Sequence, residues 1–324
     1  MRDSLRQFSS YVGELSARAQ ECNAQELAHW AVRDLKRKVG FDSAWYGWAK
    51  LGANDVDVHA NAVVDLPHDY FDTWLGMADQ DLLAAGVREN PDAATSYDRY
   101  GNRQTDGMAS LADKYGISKM ATAMHDRPDR STSFFLSSYR AGRHASGWSQ
   151  DELDYIKCAV DQLSLAMTRA TSHTSADPAE PGVTLFATKE GYVVLGLQHF
   201  NAQLGDNLNA HQGDRLPSCM RDLADCPGEH ILFDRQLVMR CEHVTGNRHM
   251  DLRKLSLRRL SKVDMLTPRE REVASALASG KSHKETARAL GVAPSTVRNQ
   301  TQSIYAKLGI SSRAELAEAV HTSL

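Results

Sequence analysis

Apolar residues recur along this chain at two periods, and the period changes where the architecture should change. Leu5, Phe8, Val12, Leu15, Ala19 and Cys22 follow 3-4-3-4-3 spacing, which predicts a helix over Ser4 to Cys22 with a heptad seam. A second helix, about Ala24 to Lys38, carries Leu27, Ala31 and Leu35 inward. The period then falls to two. Trp45, Tyr46 and Trp48 crowd a strand from Phe41 to Lys50, and Val56, Val58, Ala60 and Ala62 alternate on a strand from Val56 to Val64. Asn54-Asp55 suits the turn between them. Pro67 opens a helical stretch with Tyr70, Phe71, Trp74, Leu75 and Leu82. Residues 90–108, rich in Asp, Asn, Gly and Tyr, read as a long mobile loop. A short helix, Ala109 to Tyr115, ends at Gly116. Two strands follow, Ile117 to His125 and Ser131 to Arg140. Ser149 and Glu152 cap a long helix to about Ala170, with Leu153, Ile156, Val160, Leu163 and Met167 again at heptad spacing. The two seams fit a homodimer across a two-fold axis and fit packing on their own domain equally well.

After a polar Ser/Ala/Pro/Glu-rich stretch, Leu185 to Leu195 reads as two strands about a Lys189-Glu190-Gly191 turn. A helix at Phe200 to Gly205 and a strand at Ile231 to Arg240 follow. The last sixty residues return to helical signals. Thr267, Pro268 and Glu270 form a capping box with proline at the first helical position, and Gly280 ends that helix. Ser282 and Glu285 repeat the box, and Gly291 stops the second helix. Ser295 and Thr296 open the third and Gly309 closes it; Ser311 or Ser312, with Glu315, starts the fourth. Val273, Ala274 and Leu277, then Ala287 and Leu290, then Val297, Ile304 and Leu308 supply one small core.

The layout is multidomain. An α+β body, 1–172, has an antiparallel sheet with flanking helices. A linker at 173–182 leads to a second, smaller sheet domain at 183–250, and a basic linker at 251–263 leads to an all-α four-helix module at 264–324.

Charge sharpens this division. The net charge of −3 hides a +6 segment from Asp251 onward, with 13 Lys and Arg against 7 Asp and Glu. The rest, 25 against 34, is −9. A basic C-terminal module on an acidic body is the electrostatic pattern expected of a nucleic-acid reader. No run of about 18 apolar residues exists, so no membrane partner is expected. The five scattered cysteines suit reduced thiols in a cytoplasm.

On the third C-terminal helix the core leaves Arg298, Asn299, Gln302 and Ser303 outside, beside Ser295 and Thr296. Arg, Asn and Gln are side chains that hydrogen-bond base edges in a major groove. Lys281, Ser282, Lys284 and Lys307 lie near helix ends, where phosphates are met. The Leu266-Thr267-Pro268-Arg269-Glu270 opening, Gly280-Lys281-Ser282 followed by Lys284-Glu285, Ser295-Thr296-Val297-Arg298 and Lys307-Leu308-Gly309 occur in order at the spacing of the LuxR/FixJ-type helix-turn-helix, which this segment resembles. The resemblance implies a double-stranded DNA partner, a role in transcription regulation, and groove contacts from the Arg298, Asn299 and Gln302 positions.

The body resembles GAF-type domains and, more loosely, the LuxR autoinducer-binding domain, through Pro67, Tyr70 and Trp74, Asp79-Gln80-Asp81, and Gly147-Trp148-Ser149 with Glu152-Leu153. Asp81 is followed by Leu82, where the autoinducer-binding family carries Asp-Pro. The 183–250 segment resembles a reduced PAS domain. These resemblances imply a sensory role. Trp45, Tyr46, Trp48, Tyr70, Trp74 and Asp81 are the candidate lining of a small-molecule pocket, or the aromatics fill a core and the body docks a partner without a ligand. Cys219, Cys226, His230, Cys241 and His243 lack the tight Cys pair of a zinc site, so no metal is expected. No phosphate loop or nucleophile elbow is present, and neither cofactor nor enzymatic activity is expected.

Overall fold

The computed structural model describes residues 2–125, 132–174, 182–196, 214–244 and 250–323. Two helices, α1 (Arg2–Arg18) and α2 (Ala24–Leu35), precede a hairpin of β1 (Ser43–Leu51) and β2 (Val56–Val64). Next come α3 (Tyr70–Leu75), α4 (Leu82–Glu89), β3 (Thr95–Asp98), α5 (Asp106–Tyr115), β4 (Ile117–Met124), β5 (Ser133–Ala141) and the long α6 (Gln150–Thr174). The five strands form one antiparallel sheet in the order β2-β1-β5-β4-β3.

This sheet is covered on both faces, and β1 is why. Its residues alternate by the pleat. Ala44, Tyr46 and Trp48 point to one core with α1, α2 and α6. Trp45 and Ala49 point to the other, with α3, α4 and α5. Gly47 lies opposite Asn61 in the β1–β2 hairpin, and a Cβ there would lie 2.0 Å from the Ala60 carbonyl oxygen. Glycine at this position is what lets the two strands approach.

Both heptad seams, apart from the exposed Leu5, are absorbed by the body itself. Leu153, Ile156, Val160, Leu163 and Met167 are buried in the first core, as are Leu15 and Ala19; Phe8, Val12 and Cys22 pack partly buried against it. Stripes that fit a dimer axis from sequence therefore pack within the chain's own first core. Residues 90–108 also differ from the expected loop. Tyr97 is buried, its strand β3 pairs with β4, and Thr105 caps α5. A four-residue strand is too short for its alternation to stand out in sequence.

A second five-stranded sheet has the order β7-β6-β10-β9-β8, from β6 (Val183–Thr188), β7 (Val193–Leu195), β8 (Gly228–Leu232), β9 (Leu237–Val244) and β10 (Leu252–Arg259), with α7 (Ser218–Ala224) before β8. The helix expected at Phe200 to Gly205 lies outside the described residues. The stretch expected as a basic linker, 251–263, contains the central strand of this sheet. Leu252, Leu255 and Leu257 of β10 are buried between charged neighbours. The basic residues that suggested a linker are largely paired: Arg253 with Asp225 and Asp251, Lys254 with Glu242, Arg258 with Asp264.

The chain divides into two compact units. The first is Met1–Thr174, Val183–Gly228 and Arg240–Ser256; the second is Ser175–Gly182, Glu229–Met239 and Leu257–Leu324. Phe186, Val194, Leu195 and Leu252 share the core of the first sheet, so much of the 183–250 segment joins the body rather than standing apart. Within this unit His59 of β2 stacks on Tyr192 at 3.8 Å, and Asp214 accepts from Lys50 and from Thr132. The second unit holds four helices: α8 (Pro268–Ala278), α9 (His283–Leu290), α10 (Pro294–Leu308) and α11 (Arg313–Ser323).

Because Leu163 is fully buried in the body core, Leu163→Ala should destabilise the folded body by about 2–5 kcal/mol. Urea titration followed by tryptophan fluorescence measures this. A seam residue would instead change only the apparent mass.

Candidate functional site

The C-terminal helices are built from their caps inward. Thr267 caps α8, with Pro268 at its start, and accepts from the Glu270 amide. Glu270 reaches further than its own cap. One carboxylate oxygen accepts from the Thr267 amide at 2.8 Å and from Lys307 Nζ at 2.6 Å; the other accepts from Ser303 Oγ at 2.8 Å. Ser303 and Lys307 belong to α10, so one carboxylate ties the first helix to the third. Lys307, the Thr267 amide and Ser303 together hold the Glu270 carboxyl down at about 2.

Ser282 and Glu285 form the box that starts α9, and Gly291 ends it in the left-handed conformation at φ +67°. Val292-Ala293-Pro294 completes the tight turn into α10. Arg313 donates to the Leu277 carbonyl at 2.7 Å and to the Lys281 carbonyl at 2.9 Å, which anchors α11 across the end of α8. Val273, Leu277, Ala287, Val297, Ile304 and Leu308 close the core beneath.

Helix α10 divides cleanly. Val297, Thr301, Ile304 and Leu308 are buried; Ser295, Thr296, Arg298, Asn299 and Gln302 are exposed. Ser303, expected outside with them, is half-buried against Glu270. No side chain caps the start of α10: Ala293 occupies the cap position and Pro294 the first turn. Lys281, Ser282 and Lys284 are exposed around the start of α9. The ammonium of Lys307 is held by Glu270. Sequence reading passed over His283, which is exposed at the start of α9 with its Nε2 3.4 Å from Thr301 Oγ1. Its position inside the basic Lys281–Lys284 run was the available signal.

In the body, Trp45, Trp74 and Asp81 line a small cavity of about 40 Å3 together with Phe135, Thr122 and Ser137. The Trp45 and Trp74 rings are 4.9 Å apart, and Phe135 meets Trp45 edge-on at 4.8 Å. Asp81 accepts from Trp74 Nε1 at 2.8 Å and from the Leu83 and Ala84 amides, capping α4. The other three candidates are elsewhere. Tyr46 and Trp48 point to the opposite face of β1, where Tyr46 meets His29 and Trp48 meets Phe134. Tyr70 is buried beside the cavity, with its hydroxyl donating to that of Tyr139 at 2.8 Å, and does not line it. Burial holds the Tyr70 phenol far above its ordinary value. Sequence proximity grouped these rings, but the pleat separates neighbours on one strand.

Residues 264–320 match the family model of bacterial regulatory proteins, luxR family, and the segment is a LuxR-family helix-turn-helix. The transcriptional regulatory protein UhpA of Escherichia coli is 48% identical over 54 residues, 17% of this chain and 28% of that protein. The protein described as probable transcriptional regulatory protein NarL, of Mycobacterium tuberculosis, is 48% identical over 61 residues, 18% of this chain and 28% of that one. The chain spans between 6% and 29% of the length of the curated relatives it matches. Among solved structures, Escherichia coli SdiA aligns over 98% of each chain at 12% identity with a TM-score of 0.41. A phycoerythrobilin-bound GAF domain from a cyanobacterial phytochrome aligns over 52% of this chain and 97% of its own at 15% identity with a TM-score of 0.37.

The Glu270 network carries a pH signature. A carboxyl held down in the fold stabilises it fully above its ordinary value near 4.5, and that contribution is lost as pH falls toward about 2. The wild-type C-terminal helices should lose stability across this window, and Glu270→Gln should flatten the dependence while lowering stability at pH 7. Circular dichroism melts between pH 2 and 7 measure both effects.

Proposed function

We propose that the chain is a transcription regulator whose α10 reads promoter DNA in the major groove and whose body sets when it does so. The observation that carries this reading is the outer face of α10, where Arg298, Asn299 and Gln302 stand exposed opposite a buried apolar stripe. Arg298 is suited to a guanine edge, and Asn299 or Gln302 to an adenine. Ser295 and Thr296, at the uncapped start of α10, sit where backbone amides and the helix dipole favour a phosphate or a nearby base. Lys281, Ser282 and Lys284 meet the DNA backbone. Lys307 acts mainly through Glu270, by fixing the angle of α10.

The reader works as a homodimer in this proposal, because half-sites in two-fold operators need two such helices. With the rest of both seams packed inward, the side chains left for pairing are Leu5 of α1 and Cys158 and Leu165 of α6, which are exposed.

For the body, two readings remain. In the first, the Trp45, Trp74 and Asp81 cavity opens to admit a small apolar ligand with a polar group. The second, a protein-docking body without a ligand, is favoured by one observation: at about 40 Å3 the cavity has room for only a few waters, whereas ligand pockets run to about 300 Å3 and more.

The two groups of DNA contacts should fail differently. Arg298→Ala should cost about 1–3 kcal/mol at the cognate site and relax preference at one base pair. Lys284→Ala should weaken all sequences alike and reduce the salt slope by about one unit. Fluorescence anisotropy on cognate and scrambled duplexes separates them, and the same titration should give two chains per operator. Equal losses on both duplexes for Arg298→Ala would remove α10 as the reader.

Native mass spectrometry of the full-length protein decides between the two readings of the body. The ligand reading expects an adduct that Trp45→Ala and Asp81→Ala both abolish. The docking reading expects the bare polypeptide mass in every preparation.

A further inference from the structure

The second unit contains an ion-pair network that links two strands of the second sheet to the first C-terminal helix. Arg258, on β10, donates both guanidinium nitrogens to Asp264 at 2.7 and 2.8 Å, a bidentate pair in which Asp264 is 4% exposed and Arg258 15%. The same guanidinium lies 3.7 Å from Glu229 on β8. Glu229 reaches on to Arg271 of α8 at 3.5 Å, and Arg271 also donates to the Leu266 carbonyl. Four residues from two strands, the turn and the first reader helix are thus linked in series.

The segment between β10 and α8 is pinned from both sides. Toward the sheet, the Leu260 amide donates to the Gln236 carbonyl at 2.7 Å, and the Ser261 amide donates to Asp264 at 2.7 Å. Toward the reader, Val263 and Leu266 are buried in the helical core, and Lys262 Nζ donates to the Leu308 carbonyl at the end of α10. A flexible linker has neither buried apolar residues nor bidentate ion pairs.

We propose that the Glu229–Arg258–Asp264–Arg271 network is a rigid joint that makes α8 turn with the ends of β8 and β10, so that strain on β10 is delivered to the reader as a change in the angle of its first helix. The joint needs no ligand and no DNA. Only its regulatory use rests on the DNA-binding reading.

Hydrogen exchange on the full-length protein, without DNA, tests the joint. Arg258→Met keeps most of the side chain's bulk and removes the charge. It should raise exchange of the Leu260 to Leu266 amides at least tenfold and leave the strands of the first sheet unchanged. Glu229→Gln leaves the Arg258–Asp264 pair intact and removes the charge that joins Arg258 to Arg271 of α8. It should accelerate the first turn of α8 about threefold, with little change at Ser261 or Asp264. Arg259→Gln, an exposed neighbour on β10, serves as the control and should change neither segment. If Arg258→Met does not fold, Glu229→Gln alone decides. Wild-type exchange at α8 in folded Glu229→Gln, or at 260–266 in folded Arg258→Met, overturns the proposal. Because DNA is absent from the measurement, failure of the joint and failure of the DNA-binding reading are read separately.

Discussion

A single carboxylate organises the C-terminal helices. Glu270 closes the cap of α8 and, from the same position, accepts from Ser303 and Lys307 on α10. A capping glutamate usually satisfies only its own helix end. Here it also sets the rotation of α10 about its axis, because Ser303 and Lys307 lie one turn apart. The exposed face of Arg298, Asn299 and Gln302 is directed outward as a consequence. Buried apolar contacts supply the cohesion of this core, but they are non-directional. The charge-assisted bonds to Glu270 supply direction.

In the body the comparable constraint is the pleat of β1. Trp45 and Tyr46 are neighbours in sequence and belong to different cores. The first core fixes α1, α2 and α6, while the second holds the aromatic cavity. Any change that slipped the register of β1 by one residue would exchange the two sets. Gly47, pressed against the Ala60 carbonyl, and the register shift at Trp48/Ala49 fix that register locally.

Helix caps were the most legible part of the sequence, since a cap is a local event written in three or four residues. The boxes at Thr267–Glu270 and Ser282–Glu285 could be read directly, as could the polar face of α10. Long-range partners were less legible. The Leu153 to Met167 stripe carries the same spacing whether it packs on its own sheet or on a second chain, so spacing could not choose. The β10 segment looked like a linker because its charges are frequent. Its Leu252, Leu255 and Leu257 positions are interrupted by arginines and lysines whose partners, Asp225, Glu242 and Asp264, are themselves spread along 40 residues of sequence. Pairing of that kind is visible only in three dimensions. The cavity failed to read for a simpler reason: three of the five aromatics share β1, where the pleat sends Trp45 to one face and Tyr46 and Trp48 to the other, and grouping by proximity ignored that alternation.

The strand order β7-β6-β10-β9-β8 has a consequence for how the protein is made. The first sheet draws all its strands from residues before 142, so it can close while the chain is still leaving the ribosome. The second cannot. β6 must wait for β10, whose last residue is Arg259, and the loop joining the two has to be closed before any of its neighbours gains from the pairing. Until then β6 presents an open edge of Val183, Leu185 and Ala187 with no partner on that side. The four C-terminal helices emerge immediately afterwards and rest on local contacts, which form quickly. Translation therefore passes through a stage in which the body's first sheet is complete, the second is half-built, and the segment that finishes it is the one attached to the C-terminal helices.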